Sequence, residues 1–207
     1  MKKMICTLLA LALMLCSFAM AEAVAPQFAF DPNEGTYPAA FDRAEVKDGN
    51  LFNVKLYTED IYDIVDVSKM AVGDTFEAEG NTITIESIDK DEFGNIKING
   101  GFEEDGGYTL TTEEDTNGYM TTGYNDFGTY TERGTCNLVL AENVTFTDSS
   151  DIDADALLSG KEALTVTGIE AVTKAIAEAA NDSFNDHNTK VVIQDGKVVE
   201  INRIYNP

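Results

Sequence analysis

Asp151, Asp153, Asp155 and Glu162 stand at positions 1, 3, 5 and 12 of one window, the spacing at which an EF-hand loop offers oxygen ligands to calcium. Leu158 fits the usual aliphatic at position 8. Position 6 is Ala156, where the sharp turn of such a loop needs glycine. The chain before Asp151, Val144 to Thr147, reads as a strand where an EF-hand would have a helix. Asp residues ahead of a short helical turn also accept hydrogen bonds from free backbone N–H groups, so N-capping by Asp151 or Asp153 outweighs metal binding. Calcium is the cofactor this spacing admits.

A second constellation is aromatic. Tyr119, Tyr124, Phe127 and Tyr130 are interleaved with Asn125 and Asp126, and flat rings beside amides and carboxylates suit a glycan or a peptide. The competing use of these rings is to pack a thin sheet, and tryptophan, the strongest stacking residue for sugars, is absent from the sequence. Phe102-Glu-Glu-Asp105 and Thr112-Glu-Glu-Asp115 are acidic runs. Paired carboxylates serve glycoside hydrolysis, yet the pairing is defined by separation in space, which a sequence with 37 acids does not supply. Solvated loops are the commoner fate of such runs.

Nucleophilic chemistry has little to draw on. His187 is the one histidine, so a multi-histidine zinc site is excluded. It sits in Asn-Asp-His-Asn, where a polar loop is expected. No Gly-x-Ser-x-Gly motif occurs, and Gly100-Gly101 and Gly106-Gly107 lack the lysine and following helix of a phosphate loop. Cys136, in Thr-Cys-Asn-Leu-Val-Leu, reads as a strand residue facing the interior rather than a thiolate.

The whole chain of 207 residues carries a formal charge of −23. Met1 to Ala21 has the form of a secretory signal: Lys2-Lys3, an apolar run from Ile5 to Phe18, then Ala19-Met20-Ala21 as a small-x-small cleavage site. Losing Lys2 and Lys3 takes the charge from −23 to −25. Such an excess of acid excludes nucleic acid as a partner, because counterion release requires clustered Lys and Arg. No membrane insertion is expected after cleavage. Cys6 and Cys16 leave with the signal, so Cys136 has no disulfide partner.

The elements that would position these residues are mostly strands. Residues 22–40 contain three of the four prolines and no period, and read as an extended arm. Residues 41–130 show short β runs, among them Ile61 to Val67 and Thr82 to Ile88, and then Gly/Thr/Tyr-rich hairpins. Residues 131–207 place strands at Leu138–Leu140 and Val144–Phe146, a helical turn from Ala154 to Leu158, and a strand from Ala163 to Thr167. A helix follows with Ile169, Val172, Ile176 and Ala180 on one stripe. The closing hairpin turns at Asp195-Gly196. The fold class expected is mainly β, with two small barrel or roll subdomains, 41–130 and 131–207, the second OB-like with one α-helix. The function expected is a secreted, bacterial-type, non-catalytic binding or cell-envelope module for an extracellular glycan or protein ligand. The alternatives are a carboxylate-dependent glycan hydrolase and a calcium-stabilised extracellular domain.

Overall fold

The computed structural model describes residues 23–27, 30–113, 118–123, 127–179 and 183–205. The signal segment 1–21 and residues Tyr124, Asn125 and Asp126 lie outside them, as does the side chain of Phe127.

The chain is mainly β, and five of its strands close a ring of hydrogen bonds. These are β1 (Gly35–Ala40), β3 (Asn50–Glu59), β12 (Tyr130–Asp148), β14 (Thr189–Gln194) and β15 (Lys197–Arg203). β1 pairs antiparallel with β14 through Gly35 to Pro38, then with β3 through Ala39 and Ala40. β3 pairs with the first half of β12, whose second half runs parallel to β15. β15 returns to β14 across the Asp195-Gly196 turn. One strand serves two partners because β12 is irregular: its register against β3 shifts between Glu132 and Gly134 and again between Cys136 and Leu138. Such bulges bend a strand and re-aim it. Strand β2 (Val46–Lys47) extends one edge beside β3, and β13 (Leu164–Thr167) the other beside β12.

Alternation fills the ring. Leu51, Val54 and Leu56 of β3, Leu138, Leu140, Val144 and Phe146 of β12, and Val191, Ile193, Val198 and Ile201 of the last hairpin form one buried cluster. Helix α3 (Ile169–Ala177) closes it with Val172 and Ile176, the inner members of the expected stripe. Each such side chain contributes roughly 1.5–3 kcal/mol on burial.

Residues 60–129 are inserted between β3 and β12 and build a second core. Strands β4 (Ile61–Asp63), β7 (Ile88–Lys90), β8 (Ile96–Ile98), β9 (Tyr108–Glu113), β10 (Gly118–Gly123) and β11 (Phe127–Gly128) share a sheet, with β4 and β11 both on β10. The hairpin of β5 (Thr75–Ala78) and β6 (Asn81–Thr84) packs Phe76 and Ala78 against Tyr62, Leu110 and Tyr119. The arm docks here rather than trailing: Val24 N donates to Thr75 O and Val24 O accepts from Glu77 N, which adds a parallel bridge to β5.

The structure differs from the sequence reading elsewhere as well. The ring crosses the division expected between residues 130 and 131, because β1 and β3 pair with the strands of the last third. The run Ile61 to Val67 is strand only to Asp63, whose carboxylate accepts from Val65 N and Asp66 N and starts the short helix α1 (Ile64–Val67). The run Thr82 to Ile88 breaks after Thr84, where Asn99 Oδ1 takes the N–H groups of Glu86 and Ser87 away from any ladder. The helical turn α2 (Ala154–Leu158) and β13 lie where the sequence puts them.

Candidate functional site

A cleft of about 340 Å3 lies where the inserted unit meets the ring, lined by Glu79, the stretch from Asp105 to Tyr108, Gly123, Gly128 and His187. Four separate stretches of chain supply it, and each is held by an identifiable local device.

Glu79 occupies the first position of the two-residue turn between β5 and β6, with φ +54°, and Gly80 follows at +72°. That turn asks for Asn, Asp or Gly at its first position, and a left-handed Glu costs on the order of 1 kcal/mol. The strain is held by Asp60, whose Oδ2 accepts from Glu79 N at 2.9 Å. Tyr108 opens β9. Its ring is buried edge-on against Phe76, 5.3 Å between centroids, and its hydroxyl donates to Glu79 Oε2 at 3.1 Å. Burial first, and then the adjacent Glu79 carboxylate, push the Tyr108 hydroxyl up to about 12.

Asp105 and Gly106 belong to the turn between β8 and β9. Gly107 closes that turn by donating to Glu104 O, and a Cβ on Gly107 would sit 2.1 Å from Gly101 O, so only glycine fits. His187 stands in a turn anchored by Asn185, whose Oδ1 accepts from His187 N and Asn188 N. Its ring meets Tyr130 edge-on at 5.2 Å. Tyr130 in turn lies over Gly128, where a Cβ would come within 3.5 Å of its hydroxyl. Burial, then Glu59 and Asp186, hold the Tyr130 hydroxyl above its ordinary range.

The cleft therefore joins two carboxylates, a tyrosine hydroxyl and an imidazole around a glycine-lined floor. Such a set donates to and accepts from hydroxyls, amides and ammonium groups. At Gly107 the Gly101 carbonyl occupies the space a side chain would take, and at Gly128 the Tyr130 ring borders it.

The residues singled out from sequence are distributed as follows. Tyr130 borders the cleft through Gly128 and His187. Tyr119 does not: it is 8% exposed and packs in the core of the inserted unit. Phe127 of β11 pairs with Gly123 of β10, and Tyr124, Asn125 and Asp126 lie outside the described residues. The acidic window is not drawn to one point. Asp151 Oδ2 binds Lys161 Nζ at 2.7 Å, and Asp153 Oδ1 accepts from Ala156 N at 2.8 Å as a helix cap. Asp155 and Glu162 are exposed. Among the described residues no three His, Cys, Asp or Glu side chains are grouped to hold a metal ion. Cys136 lies half-buried in β12, and burial pushes its thiol up, away from thiolate chemistry.

Glu79, Asp105 and Tyr108 were not legible as a site, because they come from two turns and a strand start, and His187 follows about eighty residues later. The one local signal is a Glu at a hairpin position that favours Asn. Among the described residues no helix is long and apolar enough to cross a membrane. No protein-family model, curated protein or solved structure matches the chain.

Proposed function

We propose that the protein is an exported, non-catalytic binding module of the extracellular space or cell envelope, and that it holds a polar glycan or peptide in the cleft between ring and insert. The observation that carries this reading is the convergence of Glu79, Asp105, Tyr108 and His187 on one glycine-floored cleft, with Glu79 kept there in a left-handed conformation. Strain of that kind persists where the surrounding structure over-determines it, and it concentrates at ligand sites. The strand order of the ring supports an OB-like barrel as its architecture. In the ring the first strand lies between the second and fourth, the third runs parallel to the fifth, and α3 joins the third to the fourth. Barrels of this kind commonly bind oligosaccharides and other extended ligands. On this reading the barrel begins at Gly35, and residues 60–129 are an insertion between its second and third strands.

Export rests on the signal-like segment Met1 to Ala21. The test is a glycan and peptide array probed with folded protein and with Glu79→Gln. Binding by the first and loss in the second supports the module, and a blank array with folded protein counts against it.

A second reading has a specific observation behind it: Glu79 and Asp105 both line one cleft, and a glycan hydrolase works with two carboxyl groups. Release of reducing sugar from an array-positive glycan, abolished by both Glu79→Gln and Asp105→Asn, would replace the non-catalytic reading with this one.

A further inference from the structure

A second cavity, about 470 Å3, opens between helix α3 and the β12–β13 edge of the ring, and it shares no lining residue with the cleft. Its apolar lining is Leu164, Val166, Ala171, Ala175 and Ala179, and Ser150 and five charged side chains complete it. At ~30 Å3 per water it has room for roughly fifteen waters, which is the size of a small organic ligand rather than an ion.

Its charges are arranged in balanced pairs. Asp148 takes Arg203 through two hydrogen bonds, Nε to Oδ1 at 3.0 Å and Nη2 to Oδ2 at 2.5 Å. Arg203 is 1% exposed, and its guanidinium lies 4.3 Å above the Phe184 ring. Asp151 is neutralised by Lys161. That leaves Lys174 and Glu178 on the rim, one turn apart on the face of α3 and its C-cap. Neither takes part in any ion pair among the described residues, including with the other. In a chain of charge −23, a cavity with one apolar wall and charges that cancel, with one unpaired acid and one unpaired base at its mouth, selects neither a simple cation nor a simple anion.

We propose that this cavity binds a dipeptide-sized apolar zwitterion, with its side chains against Leu164, Val166 and Ala175, its carboxylate on Lys174 and its ammonium on Glu178. The spacing fits this class. Side chains four residues apart on a helix are separated by about 6 Å along its axis, and a two-residue chain spans at most ~7 Å. A single amino acid carries its two charges too close together to reach both.

The test is isothermal titration calorimetry of the full chain with L-leucyl-L-leucine, N-acetyl-leucyl-leucine and leucyl-leucine amide. The uncapped dipeptide is expected to bind, and each cap to weaken it roughly threefold or more, as loss of an exposed ion pair would. Ala175→Leu fills the cavity and is expected to abolish binding. If that variant does not fold, Lys174→Gln and Glu178→Gln decide the matter, since both side chains are exposed, and each is expected to erase the effect of one cap. No binding by the uncapped dipeptide, or capped forms that bind as tightly, overturns the proposal.

Discussion

Thr131 Oγ1 donates to Asp60 Oδ1 at 2.5 Å, and the other oxygen of the same carboxylate accepts from Glu79 N. Asp60 is 1% exposed and stands where the chain leaves the ring for the insert, while Thr131 stands where it returns. One buried carboxylate therefore fixes the entrance, the exit and the turn that carries Glu79. Asp60→Ala orphans both donors and is expected to cost about 3 kcal/mol in urea unfolding. Asp60→Asn keeps one acceptor and should lose less. The ligand affinity of the cleft should fall with Asp60→Ala even where the protein remains folded, because Glu79 N is released.

The pair Asp148–Arg203 should behave as a unit. Removing one partner leaves the other uncompensated, so Asp148→Ala is expected to cost about 3–5 kcal/mol, whereas Asp148→Leu combined with Arg203→Met should recover most of that. A double-mutant cycle by urea denaturation measures the difference. Burial alone would raise the Asp148 carboxyl, but hydrogen bonds from Arg203 and Ser150 outweigh it and hold it below the ordinary range. A depressed carboxyl contributes stability above its unfolded value, ~3.9, and loses it as pH falls through the folded value. The double variant should therefore show a shallower loss of stability than wild type below about pH 4.

Tyr108 gives the opposite pH window. With its hydroxyl pushed up to about 12 against ~10 unfolded, it contributes stability that is complete below about pH 10 and lost as pH rises towards 12. Glu79→Gln removes the neighbouring charge and should bring the Tyr108 titration down, with burial leaving a residual elevation. An NMR titration of the labelled tyrosine Cζ resonances reads this directly; an unmoved Tyr108 would mean that Glu79 is not its partner in solution.

Gly107→Ala should displace the turn that carries Asp105, since the added carbon meets the Gly101 carbonyl. Backbone contacts of that kind do not yield by side-chain rotation. A loss of roughly 1–3 kcal/mol is expected, together with weakened ligand binding. Gly106→Ala, next in sequence, meets nothing within 4 Å and should cost only the strain of its positive φ, on the order of 1 kcal/mol. Thermal unfolding of the two variants separates these effects.

What the sequence revealed was local. The Asp195-Gly196 hairpin, the Val172/Ile176 stripe of α3 and the β character of the chain follow from turn chemistry and period, and they appear as expected. Pairings distant in sequence did not follow: nothing in Leu51 to Tyr57 shows that its partner is Glu132 to Leu138, or that the end of β12 runs beside β15. Side-chain competition for the backbone was also hidden, because Asp63 and Asn99 take N–H groups beyond the ends of β4 and β6 that alternation alone assigns to a ladder. Within the site, Tyr130 was legible as an aromatic near a loop, but Tyr119 has the same type and spacing and is core. Only the third dimension separates them.

The most direct test of the cleft as the binding site is a chemical-shift map of the folded protein titrated with an array-positive glycan or peptide. The largest amide shifts are expected on Glu79, Asp105, Tyr108 and His187, and Glu79→Gln is expected to abolish them while leaving the rest of the spectrum in place. Shifts confined to other surfaces, or unchanged binding by Glu79→Gln, would contradict it.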